Sequence, residues 1–280
     1  MFTEHKINRI RVKPVVSQVR DPKKILASKM FSIPFCNVGI LSKKKSGKST
    51  LIYNALEKVC HRTTKVYLFC GSLHRDETYR RIQDMLEKKG CSVYAKTHFL
   101  ENGVNLLDEI IHMLKHPESS SEEDSGDESP QRPEPQGLLR FNAEPEEQKP
   151  TPKTPVRKPR KVVPENVFVF DDLSQDLRNP SIESLLKANR HYKCKTFVSS
   201  QRITDLHPNS LANLDYCLIF KSFNRKTLDS LRLKLDLHLE EKELWELYQQ
   251  VTSKRFNFLY IDVGNCEFRR NFNHLLKLKC

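Results

Sequence analysis

Short apolar runs alternate with segments of helical periodicity along most of the chain. Residues 34–41 form an apolar run, 42–47 a polar turn, and 48–59 a helical pattern; 65–70 is apolar again. Residues 76–89 place Tyr79, Ile82, Met85 and Leu86 on one helical face, and Gly90 supplies the stop. A strand over 92–99 and an amphipathic helix over 104–114 follow. After a long interruption the alternation resumes. It predicts strands over 167–170, 196–201 and 216–220, helices over 181–190, 225–235 and 240–251, and a hairpin of 256–263 with 267–272 around Gly264-Asn265. Apolar strands without polar alternation are strands buried on both faces. The pattern therefore predicts an α/β fold with a mostly parallel sheet covered by helices on both faces.

The interruption, residues 117–164, holds ten of the 15 prolines, an acidic serine block and then a basic proline block. Such a composition cannot bury enough apolar surface to offset its ordering entropy, so a disordered insertion is expected. It need not divide the fold, because loop-closure entropy grows only with the logarithm of length. The expected organisation is a basic extension over 1–30, a single domain made of 31–116 and 165–272, the insertion over 117–164, and a tail over 273–280.

Charge narrows the function classes. The net charge is +13, and the insertion contributes 10 acidic and 8 basic residues, leaving 40 Lys+Arg against 25 Asp+Glu elsewhere. That balance suits a polyanionic partner, whose counterions Lys and Arg displace. No apolar run is long enough to span a membrane, and the N-terminal MFTEHKINRIRVK lacks the apolar centre of a signal peptide. The 8 cysteines show neither CxxC pairs nor zinc-site spacing, and several sit in strand-like runs, so they read as reduced core thiols.

The sharpest motif is Ser42-Lys43-Lys44-Lys45-Ser46-Gly47-Lys48-Ser49-Thr50, set between an apolar strand and a helix. This is the context of a phosphate-binding loop, in which backbone N–H groups and the helix N-terminus converge on an anion. Lys48 would reach the β- and γ-phosphates of ATP and Ser49 would hold Mg²⁺. The usual first glycine is replaced by Ser42, which would be strained if a positive φ were required.

Such a loop calls for an acidic strand end elsewhere. Val167-Phe168-Val169-Phe170 runs into Asp171 and Asp172. Asp171 is the candidate Mg²⁺ ligand and Asp172 the candidate general base. If strand 196–201 lies between the two motif strands, Gln201 at its end would reach the γ-phosphate or the attacking water. Arg178, Arg190 and Arg202 are candidates for a charge supplied to a neighbouring subunit.

The order SKKKSGKST, VFVFDD, ANRHYKCKTFVSSQR and LHPNSLANLDY resembles the viral genome-packaging ATPases of the FtsK/HerA superfamily, of the poxvirus and giant-virus type also found in Polinton/Maverick elements and adintovirus-like viruses. The similarity covers about 35–116 and 165–263. Its most specific part is Arg190-His191, the strand ending at Gln201, and Leu206-His207-Pro208 leading to Asn213 and Asp215.

The resemblance implies a RecA/ASCE-like P-loop NTPase fold and a homo-oligomeric ring that uses ATP to translocate double-stranded DNA into a capsid, with capsid or portal-vertex proteins as partners. On this chain it assigns Lys48, Ser49 and Asp171 to ATP·Mg²⁺, Asp172 to the base and Gln201 to the sensor. Residues 153–161 resemble a nuclear-import segment, which points to the nucleus; a cytoplasmic assembly site, or association with the virion, is the alternative location. Residues 119–129 look like an acidic kinase substrate. Two other classes are a small-molecule P-loop kinase, which would need an arginine-bearing lid, and a non-hydrolysing DNA-binding or capsid-vertex protein with a degraded loop.

Overall fold

A computed structural model describes residues 24–101, 103–116 and 161–277. The acidic serine block and residues 153–160 of the insertion lie outside the described residues. The elements run β1 (Asn37–Leu41), α1 (Lys48–Val59), β2 (Lys65–Cys70), α2 (Glu77–Lys88), β3 (Ser92–Lys96), a short hairpin of β4 (Leu100–Glu101) and β5 (Val104–Asn105), and α3 (Leu106–Lys115). The second arm runs β6 (Asn166–Asp171), α4 (Pro180–Ala188), β7 (Cys194–Ser200), α5 (Pro208–Ala212), β8 (Tyr216–Phe220), α6 (Arg225–Lys234), α7 (Glu241–Val251), β9 (Phe258–Asp262), β10 (Glu267–Arg270) and β11 (His274–Leu276).

Nine strands form one sheet in the order β11-β10-β9-β8-β1-β7-β6-β2-β3. The six from β8 to β3 are parallel, and β9, β10 and β11 add antiparallel strands at one edge. Strand β6 shows why this sheet is covered on both faces. Val167 and Val169 join a core with α1 and α2, whereas Phe168 and Phe170 join the opposite core with α3 to α7. All six of its residues are buried. Burying a Val or Phe side chain is worth about 1.5–3 kcal/mol, so the strand is held from both sides.

Local signals set the helix starts. Asp76, Asn105, Asn179 and Asn224 each accept a backbone N–H at the N-terminus of α2, α3, α4 and α6, and Pro180 opens α4 at its first turn. Gly39 has a packing reason: a Cβ there would meet Leu214 Cδ1 at 2.6 Å.

The ends of the domain reach further than the pattern suggests. His274–Leu276, expected within a tail, is an edge strand paired with β10. Ile25 is buried and bridges Val162, with Leu26 N–H donating to Val162 O at 2.9 Å. Residues of the expected N-terminal extension and of the expected insertion thus meet on the domain. In α7, Leu244, Tyr248 and Val251 face the core, and Trp245 packs partly against it. Six of the seven described cysteines are buried, and all seven are free thiols. No described helix is long and apolar enough to cross a membrane.

Candidate functional site

The phosphate-loop residues leave the C-terminal end of β1 and enter α1. Gly47, the residue before the helix, has φ 96°, a left-handed conformation that glycine adopts without steric cost. Lys45 has φ 62°. Ser42 does not lie in the left-handed region. Its N–H donates to Ser200 O at 3.0 Å and extends the pairing of β1 with β7 by one residue. The condition for strain at this serine is not met, because the chain takes its positive φ only later, at Lys45 and Gly47. The hydroxyls of Ser42 and Ser46 are buried and have no hydrogen-bond partner. Unpartnered hydroxyl donors in a loop of three lysines suit an anion.

Strand β7 lies between β1 and β6. The condition placed on Gln201 is therefore met, and its carboxamide is beside the acidic strand end. Gln201 Nε2 donates to Asp172 Oδ1 at 3.1 Å. Lys48 Nζ lies 2.6 Å from Asp171 Oδ1, and Asp171 is 1% exposed. The hydroxyl of Tyr79, on α2, donates to Asp171 Oδ2 at 2.6 Å. Burial first, and the Asp171 charge second, push the Tyr79 phenol well above its usual value, so it remains a donor. Three elements thus converge on one carboxylate.

Asp172 has φ 56°, an uncommon backbone for a residue with a side chain. It is packed against Gly71, where an added Cβ would stand 2.5 Å from the Asp172 carbonyl oxygen. Gly71 is the glycine whose bareness lets the two strand ends approach.

Asp76 was not singled out by sequence reasoning. Its carboxylate accepts from Thr78 N–H at 2.9 Å, capping α2, and from Ser49 Oγ at 3.2 Å. Only the packing of α1 against α2 brings it to the loop; the sequence offers no more than a cap signal. A hard divalent cation takes oxygen ligands, and two are available here. Asp171 Oδ1 is buried and faces the Lys48 ammonium, and the Ser49 hydroxyl is held at the start of α1 beside Asp76. The donor set therefore fits Mg²⁺.

The three arginines separate. Arg178 and Arg202 follow the C-terminal ends of β6 and β7, on the phosphate-loop side, and Arg178 Nε donates to Thr204 O at 2.8 Å. Arg190 precedes β7 and lies 3.9 Å from Asp215, at the opposite end of the sheet. Asp215 accepts from the Asn37 N–H at 2.8 Å, and Asn37 in turn donates to Leu186 O and Asn213 O. The stretch from Arg190 to Asp215 therefore supplies both ends of the sheet, with Gln201 at one and the Asn37–Asp215 cluster at the other. His207, at the start of α5, lies 3.2 Å from Glu183.

No protein-family profile matches the chain. It is similar to the uncharacterized protein 075L of Invertebrate iridescent virus 6, with 29% identity over 99 residues. That match covers 34% of this chain and 38% of the relative, so it spans under two fifths of the relative's length. The fold is similar to that of the genome packaging NTPase B204 of Sulfolobus turreted icosahedral virus 2 in complex with AMP, with a TM-score of 0.50 and 17% identity over 88% of this chain and all of that one. It is equally similar to B204 of Sulfolobus turreted icosahedral virus, a DNA-packaging ATPase, with a TM-score of 0.50, 17% identity, 85% of this chain and 97% of that chain. The mostly parallel sheet flanked by helices is thus the P-loop fold that the sequence predicts.

Proposed function

We propose that this chain is the ATPase of a viral genome-packaging motor, hydrolysing ATP to drive double-stranded DNA into a preformed capsid. The observation that carries the reading is the meeting of Lys48 with Asp171, and of Gln201 with Asp172, at the C-terminal ends of three adjacent parallel strands. Open α/β sheets bind ligands at that edge. The packaging function of the B204 proteins, whose fold this chain shares, supports the same reading.

The residues divide the work. Backbone N–H groups from Lys43 to Gly47 and the N-terminus of α1 bind the β-phosphate. Lys48 swings from Asp171 to the β- and γ-phosphates as they arrive. Ser49 and Asp171 would hold Mg²⁺, which would supply charge neutralisation for the phosphates. Asp172 accepts the proton of the attacking water, and Gln201 orients both the Asp172 carboxylate and that water. DNA contacts draw on the basic surplus of the chain. A homo-oligomeric ring would bring an arginine of one subunit to the site of the next, and a capsid or portal-vertex protein would anchor it. The basic residues 153–161 fit work in the nucleus.

The test is steady-state ATP hydrolysis with and without double-stranded DNA, beside Lys48→Ala and Asp172→Asn. Turnover stimulated by duplex DNA and abolished in both variants supports the motor. Turnover stimulated by nucleosides instead, or none under any condition with salt-sensitive DNA binding intact, overturns it.

A further inference from the structure

Phe256 lies in the turn between α7 and β9, outside every motif discussed above. It is 56% exposed, with φ 67°. An exposed aromatic ring in a left-handed conformation is doubly unusual, and such backbone is found where a site fixes it. The ring is not loose. It covers Gly47 of the phosphate loop, where an added Cβ would stand 3.1 Å from Phe256 Cδ1, and the Arg255 guanidinium lies 4.6 Å from its centroid.

The ring also forms a wall shared by two cavities. On one side is a cavity of about 280 Å³, lined by Lys43, Lys44, Lys45, Ser46 and Arg255. On the other is a cavity of about 740 Å³, mostly apolar, lined among others by Leu51, Asn54, Phe258 and Phe272. The second volume is that of a small-molecule pocket. A cationic pocket and an apolar pocket that meet at one aromatic ring, beside the glycine that opens α1, match the two halves of a nucleotide.

We infer that Phe256 is the stacking platform for the base of the bound nucleotide, which enters the apolar cavity between residues 25–30, α1, the start of β9 and the turn after β10, while its phosphates occupy the loop. This rests on the ATP reading of the loop and names the part of the ligand which that reading leaves unplaced. The flat face of a purine matches the ring, and the Arg255 guanidinium adds a cation–π contact to the same aromatic surface. Asn54, on α1 between Leu51 and Lys58, offers a carboxamide at the cavity wall for the base edge.

The experiment compares ATP with inorganic tripolyphosphate, which carries the phosphates without the base. Affinities are measured by calorimetry for the full chain, Phe256→Ala, Phe256→Trp and Lys48→Ala. The expected result is tighter binding of ATP than of tripolyphosphate in the parent chain. Phe256→Ala should lose about tenfold for ATP, with tripolyphosphate unchanged, and Phe256→Trp should restore ATP. Lys48→Ala should weaken both ligands. An unchanged ratio of ATP to tripolyphosphate affinity in Phe256→Ala, with Lys48-dependent tripolyphosphate binding intact, overturns the base platform alone and leaves the cavity to another occupant, such as a segment of residues 1–23. Absence of Lys48-dependent tripolyphosphate binding overturns the platform together with the loop reading. Phe256 is largely exposed, and equal melting temperatures for the parent and Phe256→Ala confirm that the comparison is between folded proteins.

Discussion

Gln201 donates a hydrogen bond from Nε2 to Asp172 Oδ1 at 3.1 Å, linking the ends of β7 and β6. The carboxamide sets the direction of the carboxylate, which has a strained backbone of its own. Removing the link should impair chemistry more than binding. Gln201→Ala is expected to lower kcat by about a hundredfold, the scale of one lost preorganised donor, with nucleotide affinity within about threefold of the parent. Steady-state hydrolysis and equilibrium nucleotide binding check this together, and an equal loss in both would place Gln201 in ligand binding instead.

Gly71→Ala tests the close approach of the two strand ends. A methyl group would sit 2.5 Å from the Asp172 carbonyl oxygen, so that backbone must move. Overpacking of this kind costs about 1–3 kcal/mol. The variant should lose that much stability in urea and most of its turnover, since Asp172 is displaced while Lys48 and the loop are untouched.

Tyr79→Phe removes a buried hydrogen bond to a carboxylate while preserving the ring. A bond to a charged group contributes about 1.5–3 kcal/mol, and chemical denaturation should show a loss in that range. If the loss is near zero, Lys48 alone satisfies Asp171.

Asp215 gives a pH dependence. Burial, the largest influence, raises its carboxyl above the ordinary value, against the opposing Asn37 N–H and Arg190. The sign follows from linkage. A group whose pKa is higher folded than unfolded stabilises the fold fully below the unfolded value, and that contribution is lost as pH rises through the folded value. Asp215→Asn is neutral throughout and keeps an acceptor for Asn37. Its melting temperature relative to the parent should therefore increase between about pH 4 and pH 7, as the parent acquires a buried charge. A difference independent of pH would show that the Asn37 N–H, Arg190 and Lys195 together compensate the charge completely.

Much of this architecture was legible in the chain because periodicity and chemistry coincide. The helix over 48–59 and the strands over 65–70 and 216–220 are found at the expected residues, each being a clean run between polar turns. Lys48 stands out in the sequence because it opens a helix after an apolar strand, and Asp171, Asp172 and Gln201 because each stands at the end of one. Strand order was not legible, and Gln201 acquired meaning only when β7 was found between β1 and β6. Asp76 reads locally as a helix cap, and its contact with Ser49 depends on how α1 packs on α2. Phe256 stands at the start of the strand expected over 256–263, yet it lies in the turn before β9, whose first residue is Phe258. His274–Leu276 was hidden because an edge strand three residues long needs no apolar alternation when its partner supplies the hydrogen bonds. Whether Ser42 is strained depends on its backbone angle, which the glycine pattern does not specify, and Ser42 has no positive φ.

The sheet order also governs how the domain can come into being. β1 and β2 belong to the first arm of the chain, yet between them lie β7 and β6 of the second arm. Neither arm can complete a sheet by itself, because each would expose the edges that the other covers. Lys48 and Asp171 come from opposite arms, so nucleotide chemistry cannot precede their interleaving. Such distant parallel pairings make folding slow. They also make the arms mutual templates: a chain severed between residues 117 and 160 still carries every described strand, and two separately synthesised arms should assemble into one working domain rather than two inert halves.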